Sequence, residues 1–401
     1  MLRSLFSGIT GLRAHQTLMD VVSNNIANVN TTGFKSSTVV FEDTLSQTIR
    51  NAAAPTPVIG GINPAQIGLG VQLGAVSTTF GQGSAQNTGK STDLMVQGDG
   101  FFVLRNGGES TYSRAGAFTF DTNGRLVTPQ GAVVQGWIGT NGVVNTDNPV
   151  TDIVVPAGTL IPPTVSTTVT LGGNISAGTT TPMTLGATVY DSTGVGHSLA
   201  IVLTTTGSAP PVYTIDVSEP ADATVTPVSG SVNFQANGSY DTTTTPPQIT
   251  LADGSVITID PSGLTQFGGE KSLSVTKTDG AAAGSLQQFQ IGSDGGVLGI
   301  FSNGQKLTMA KLALANFNNP PGLEKIGSTS FRATPNSGLA QVGIPGSGGR
   351  GGLLGGTLEM SNVDLAQEFT NLIIAQRGFQ ANSRVITTSD EMLQNLVDIK
   401  R

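Results

Sequence analysis

The side chains that most often carry out chemistry are scarce in this sequence. Its 401 residues include no cysteine and only two histidines, His15 and His197. Without cysteine there can be no disulfide, thiolate zinc site, iron–sulfur cluster or thiol nucleophile. Two isolated histidines leave little for acid–base or metal chemistry near neutral pH. Three segments still approach known motifs. Gly196-His197-Ser198-Leu199-Ala200 is one substitution from a G-x-S-x-G nucleophile elbow, which needs a strand-to-helix turn and a partner histidine. Here Leu199, Ile201 and Leu203 carry a strand pattern onward, so Ser198 reads as a hairpin residue. Gly346-Ser347-Gly348-Gly349-Arg350-Gly351 satisfies G-x-G-x-x-G, but it follows no strand and opens no helix, so no dinucleotide site is expected. Asp121-Thr122-Asn123-Gly124 opens like a calcium loop, yet no Glu closes it at the required spacing, and it reads as a turn. The expectation is a protein that is not an enzyme, with no catalytic, cofactor-binding or metal-binding residue and no cofactor.

Packing is what the remaining residues can do. In the N-terminal segment Leu5, Leu12, Met19 and Ile26 recur every seven residues, and Leu365, Leu372, Phe379, Ile386 and Leu393 repeat that interval near the C-terminus. Sustained sevens mark helices that pack a seam on partner helices. Ser361, Asn362 and Asp364 offer an N-cap for the second helix, and Gly33 a stop for the first. As helices, residues 362–400 would make a rod of about 58 Å and residues 2–29 one of about 42 Å. Rods of that length cannot hide their seams inside one compact domain. An intramolecular hairpin alone is one reading; the favoured one adds packing on neighbouring subunits.

Between the helices the pattern has period two, as at Tyr213, Ile215 and Val217, or Ile257 and Ile259, or Leu307 and Met309. Turn dipeptides such as Asn123-Gly124, Asn141-Gly142, Asp253-Gly254 and Asn303-Gly304 separate these runs, as in antiparallel hairpins. Residues 151–283, rich in Thr, Pro and Gly, read as an inserted β-domain, and the glycine-rich stretches 58–74 and 343–356 as paired connectors. Only 19 basic and 26 acidic residues are present, 11% of the chain, and the net charge is −7. That charge argues against nucleic acid and anionic membranes, while the weakly charged surface suits lateral packing. No cleavable leader and no run of 18 apolar residues is visible, so no membrane insertion is expected.

Four blocks resemble the bacterial flagellar rod and hook proteins, an axial family. They are SGITGLRAHQTLMDVVSNNIANVNTTGFKSS at 7–37, LMVQGDGFFVLRNGGESTYSRAGAFTFDTNGRLVTPQGAVVQGW at 94–137, ALANFNNPPGLEKIGSTSF at 313–331 and GTLEMSNVDLAQEFTNLIIAQRGFQANSRVITTSDEMLQNL at 356–396. The long insert at 151–283 and the SNVDLAQEF opening of the last helix are hook-like rather than rod-like. The resemblance implies an α+β, mainly β chain of nested layers. Residues 1–32 and 358–401 would pair as a coiled coil, with 33–79 and 343–357 as connector. Residues 80–150 and 284–342 would form an inner antiparallel sandwich or barrel, and 151–283 an outer one inserted in it. It further implies type III export without a cleaved signal peptide and assembly into a flexible tubular universal joint outside the cell. The implied partners are further copies of the chain, the distal rod protein, the hook–filament junction protein, the hook cap protein and the export gate. The two heptad rows would be the polymerisation seam. Phe41-Glu42-Asp43-Thr44-Leu45 resembles an F-x-x-x-apolar export-gate element, which singles out Phe41 and Leu45. Without cysteine, such a tube holds by non-covalent packing alone. A distal rod protein and, from another class, a secreted β-rich adhesin are the alternatives. An adhesin has no need of helical seams at both ends.

Overall fold

The computed structural model describes residues 2–57, 60–140, 142–156, 158–179, 181–206, 212–222 and 224–398. Two helices bracket a β-rich middle: α1, Leu2–Ala27, and α2, Leu365–Asp398. Asp364 caps α2, its Oδ1 accepting the Ala366 N–H at 2.9 Å and the Gln367 N–H at 3.3 Å. α1 ends earlier than Gly33, in a turn where the Asn28 N–H donates to Asn24 O at 3.2 Å and the Asn28 side chain to the same oxygen at 2.9 Å. Gly33 has a different duty. Its φ is +68°, and a Cβ there would stand 2.4 Å from the Ala115 backbone nitrogen, so only glycine lets the two strands of chain pass this closely.

The chain divides into two compact units, Met1–Pro156 with Gln290–Leu298 and Thr308–Arg401, and Ala157–Phe289 with Gly299–Leu307. In the first, the strand Phe101–Asn106 lies between Val133–Thr140 and Glu109–Ser113, and the sheet continues through Ser330–Arg332 to Glu324–Gly327, all antiparallel. Its aromatic core packs Phe101, Tyr112, Trp137, Phe317 and Phe331, with Tyr112 and Phe317 edge-to-face at 4.8 Å. The glycine-rich stretch 343–356, read as a connector, carries a short strand of its own. Gly352–Gly355 pairs with Leu94–Gln97, and the loop before it winds around Arg350, whose Nε donates to Ile344 O at 3.1 Å. A Cβ on Gly343 or Gly348 would crowd that guanidinium.

The second unit has two four-stranded sheets. One runs Met183–Tyr190, Gly196–Thr205, Tyr213–Ser218, Val228–Val232. The other runs Gln248–Thr250, Val256–Thr265, Thr168–Asn174, Ser274–Thr278, and its Thr168–Asn174/Val256–Thr265 pair is parallel. Residues of both sheets share one core, in which Leu199, Ile201, Leu203, Ile215, Val217, Ile257 and Ile259 are fully buried, every second residue as the alternation required. Ser198 lies mid-strand, paired with Thr188, so no nucleophile elbow exists there.

Candidate assembly surface

The two helices run antiparallel, with Gly8 beside Ile386, His15 beside Gly378 and Asn25 bonded to Glu368. What lies deepest between them is small or polar: Gly8, Gly11, Ala14, Val22 and Asn25 on α1, Glu368, Ala375 and Ser389 on α2. A Cβ on Gly11 would come 2.8 Å from the Asn382 amide, and one on Gly378 2.4 Å from the His15 ring. Of the heptad rows, Ile386 lies against Gly8 in this contact. Leu5, Leu12, Met19 and Ile26, and Leu372, Phe379, Ile386 and Leu393, are half-buried, and Leu365 is exposed. Large apolar side chains also face away from the seam, among them Phe6, Phe369 (49% exposed), Ile373 (58%), Ile374 (56%) and Met392. Helices apolar on two faces have more to bury than one partner can cover.

At the base of the helix pair sits a buried polar cluster that the heptad pattern did not foretell. Glu359 Oε1 accepts the Lys35 ammonium at 2.6 Å and the Gly83 N–H at 2.9 Å, and both charged side chains are fully buried. Arg114 Nη1 stands 3.7 Å from Glu359 Oε2, donates to Gly98 O at 2.7 Å and carries its guanidinium over the Phe101 ring at 5.1 Å. Lys35 also donates to Gly81 O at 2.8 Å, and the Gly33 N–H to Glu359 O at 2.7 Å. Burial pushes Lys35 and Arg114 below their ordinary pKa values, and the neighbouring Glu359 carboxylate pulls each back up. A ring of amides extends the cluster. Asn25 Nδ2 donates to Glu368 Oε1 at 3.0 Å and to Ser37 O at 2.8 Å, while Asn362 Oδ1 accepts the Ser36 N–H at 2.8 Å and its Nδ2 donates to Thr79 O at 2.8 Å. Segments from five places in the sequence are thereby fixed to one another.

Phe41 lies on the strand Ser37–Asp43, which pairs with Val71–Thr78. Its ring meets that of His15 edge-on, centroids 6.4 Å apart, and is half-buried; Leu45, just past the strand, is 85% exposed. The ribbon that follows, Ser46–Arg50 against Ala65–Gly68, exposes Ile49 and Ile67. Of the remaining chemical residues, His197 Nδ1 lies 2.6 Å from Glu219 Oε1 and its Nε2 3.5 Å from Asp191 Oδ2, which raises its pKa. Among the described residues no group of His, Asp and Glu has the makings of a metal site, and no helix is long and apolar enough to cross a membrane.

Four family models match in chain order: the flagella basal body rod protein at 5–35, the flagellar hook protein FlgE/F/G D1 domain at 95–177, the flagellar basal body protein FlaE D2 domain at 174–281 and the flagellar basal body rod FlgEFG protein C-terminal at 354–399. The flagellar hook protein FlgE of Borreliella burgdorferi is 37% identical across all of both chains. The chain belongs to the flagellar hook protein family. Other relatives include the hook protein of Salmonella typhimurium, 33% identical over 99% of this chain and all of that one. The basal-body rod protein FlgG of Bacillus subtilis is 34% identical over the full length of both. A crystal structure of a Helicobacter pylori hook protein, FlgE2, matches 67% of this chain and 98% of that one with a TM-score of 0.53 at 14% identity, a likeness of fold. The hook family accounts for the two helical ends and the intervening β-domains together.

Proposed function

We propose that this member of the hook family is the structural subunit of a flagellar hook, polymerising into a tube that bends while it transmits torque. The observation that carries the reading is full-length kinship with hook proteins in a chain whose terminal helices leave Phe369, Ile373 and Ile374 unpartnered. In a tube, helix pairs from neighbouring copies would cover these faces, and the heptad residues would join the same contact. Polar, weakly charged outer surfaces would let neighbouring copies slide as the tube bends, since few strong ion pairs fix one register. The work is mechanical and calls for neither substrate nor cofactor.

The test places polar residues on the outward face, as Phe369→Ser with Ile373→Ser. The variant should keep the helix signal and melting temperature of the parent yet fail to form tubes in high salt under the electron microscope. Tubes indistinguishable from those of the parent would overturn the reading. The kinship with a rod protein keeps a rod role as the second reading, and straight rather than curved tubes would favour it.

The finer partners follow from the same proposal: the distal rod protein below, the junction protein above, a cap at the growing end, and the type III export gate, which would pass the chain without cleaving a signal. Because Phe41 packs on His15 in the folded chain, a gate that reads Phe41 and Leu45 would read them before folding. Phe41→Ala with Leu45→Ala should lower secretion several-fold while the purified variant still polymerises. Undiminished secretion would remove these residues from the export step.

A further inference from the structure

The sequence has five Asn-Gly pairs, at Asn106, Asn123, Asn141, Asn237 and Asn303, and asparagine before glycine is chemically labile because no side chain shields the following backbone nitrogen. Asn141 lies outside the described residues. At three of the others the fold occupies that nitrogen. The Gly124 N–H donates to Asp121 O at 3.0 Å, Gly238 to Gln235 O at 2.8 Å, and Gly304 to Phe301 O at 2.9 Å. Two of these asparagine side chains are engaged as well. Asn237 Oδ1 accepts the Ser239 N–H at 3.1 Å, and Asn303 Nδ2 donates to Ala282 O at 2.7 Å while its Oδ1 accepts the Gln305 N–H at 3.1 Å.

Asn106 differs from all three at the following nitrogen. It ends the strand Phe101–Asn106, opposite Glu109, at a two-residue turn whose Gly107 and Gly108 have φ of +60° and +103°. Among the described residues, neither the Gly107 N–H nor the Asn106 side chain has a hydrogen-bond partner, and Asn106, Gly107 and Gly108 are all exposed. We propose that Asn106 is a site of spontaneous deamidation, selected from among the four described Asn-Gly pairs by the free Gly107 nitrogen at this hairpin tip.

The step needs only water. The Gly107 backbone nitrogen, losing its proton, bonds to Asn106 Cγ; the Cγ–Nδ2 bond breaks and ammonia departs with that proton, leaving a five-membered succinimide. Water then opens either carbonyl, giving aspartate or isoaspartate. The new carboxylate faces Glu109 directly across the strand pair, and like charges so placed repel. Arg332 Nη2, 2.9 Å from Glu109 Oε2, is a cation placed to offset part of that repulsion. The isoaspartyl product lengthens the backbone by one carbon and breaks the last rung of the hairpin.

The test incubates the purified full-length chain in mildly alkaline buffer and maps its peptides by mass spectrometry over time. The peptide bearing Asn106 should gain the mass of an amide-to-acid exchange and split into two chromatographic species, one of them a substrate for isoaspartyl methyltransferase. Peptides bearing Asn123, Asn237 and Asn303 should keep their masses over the same interval. In guanidinium chloride the four sites should react at comparable rates, since only the fold tells them apart. An Asn106 peptide that reacts no faster than the other three in the folded chain would overturn the proposal, and so would a preference for Asn106 that survives denaturation. An Asn106→Gln chain supplies the unreactive control, because a longer side chain closes a less favourable ring.

Discussion

At the scale of single residues, Lys35 and Glu359 are bound most tightly into their surroundings. Each is fully buried, and without Lys35 the Glu359 carboxylate would keep only Arg114, at 3.7 Å. Removing one partner of such a pair costs about 3–5 kcal/mol. Lys35→Met should therefore lower the stability of the helix-bearing unit by that order, read as a shifted denaturant midpoint, while combining Lys35→Met with Glu359→Gln should recover part of it. A single variant as stable as the parent would show that Arg114 and water neutralise Glu359 unaided. None of this was legible from the sequence, where Lys35 and Glu359 are two of 45 charged residues 324 positions apart. Ser198 was legible as a strand residue, since Leu199, Ile201 and Leu203 carry the alternation onward, and it pairs with Thr188 in mid-strand.

At the scale of elements, the two helices were readable because amphipathic repeats every seven residues have few other uses. Which rows face each other was not. The leucine-type residues draw the eye, but close approach is shown at Gly8, Gly11 and Gly378, since small residues set how near two backbones come. What fills the stretch at 343–356 was not readable either: glycine content signals conformational freedom, and here Arg350 bonds back to Ile344 within it. The helix pair is tied by side-chain bonds at one end, around Asn25 and Glu368. Amide exchange in the unassembled chain should accordingly be slowest near Val22 and Ala375 and quicken toward Leu5 and Leu393. Assembly should flatten that gradient. Uniform protection in the monomer would mean that the helix pair is stable by itself along its whole length.

At the scale of the whole molecule, two units with separate cores should unfold in two calorimetric steps rather than one. Their sensitivities differ. His197, bonded to Glu219 and facing Asp191, holds its proton more firmly in the folded state than the ordinary value of 6.5. The folded state then binds more protons than the unfolded one as pH rises above 6.5, so that contribution is full at lower pH and is lost through the raised folded value. One transition should move down with rising pH and lose that dependence in His197→Gln, while the other alone responds to Lys35→Met. A single transition answering to both changes would overturn this division.

The position of Glu359 in the chain has a kinetic consequence. Its bond to Lys35 closes a loop of 324 residues, whereas the hairpins of the second unit close over a handful. Loop entropy grows slowly with length, but long-range closure waits until both ends exist and meet. Local sheets are therefore expected to form before the clasp at Glu359. A chain cut short before that residue would still fold its second unit yet could never tie its beginning to its end. In such a fragment Lys35 would lie buried with no Glu359 to meet it, so the beginning of the chain is expected to stay untied until the very end has been made.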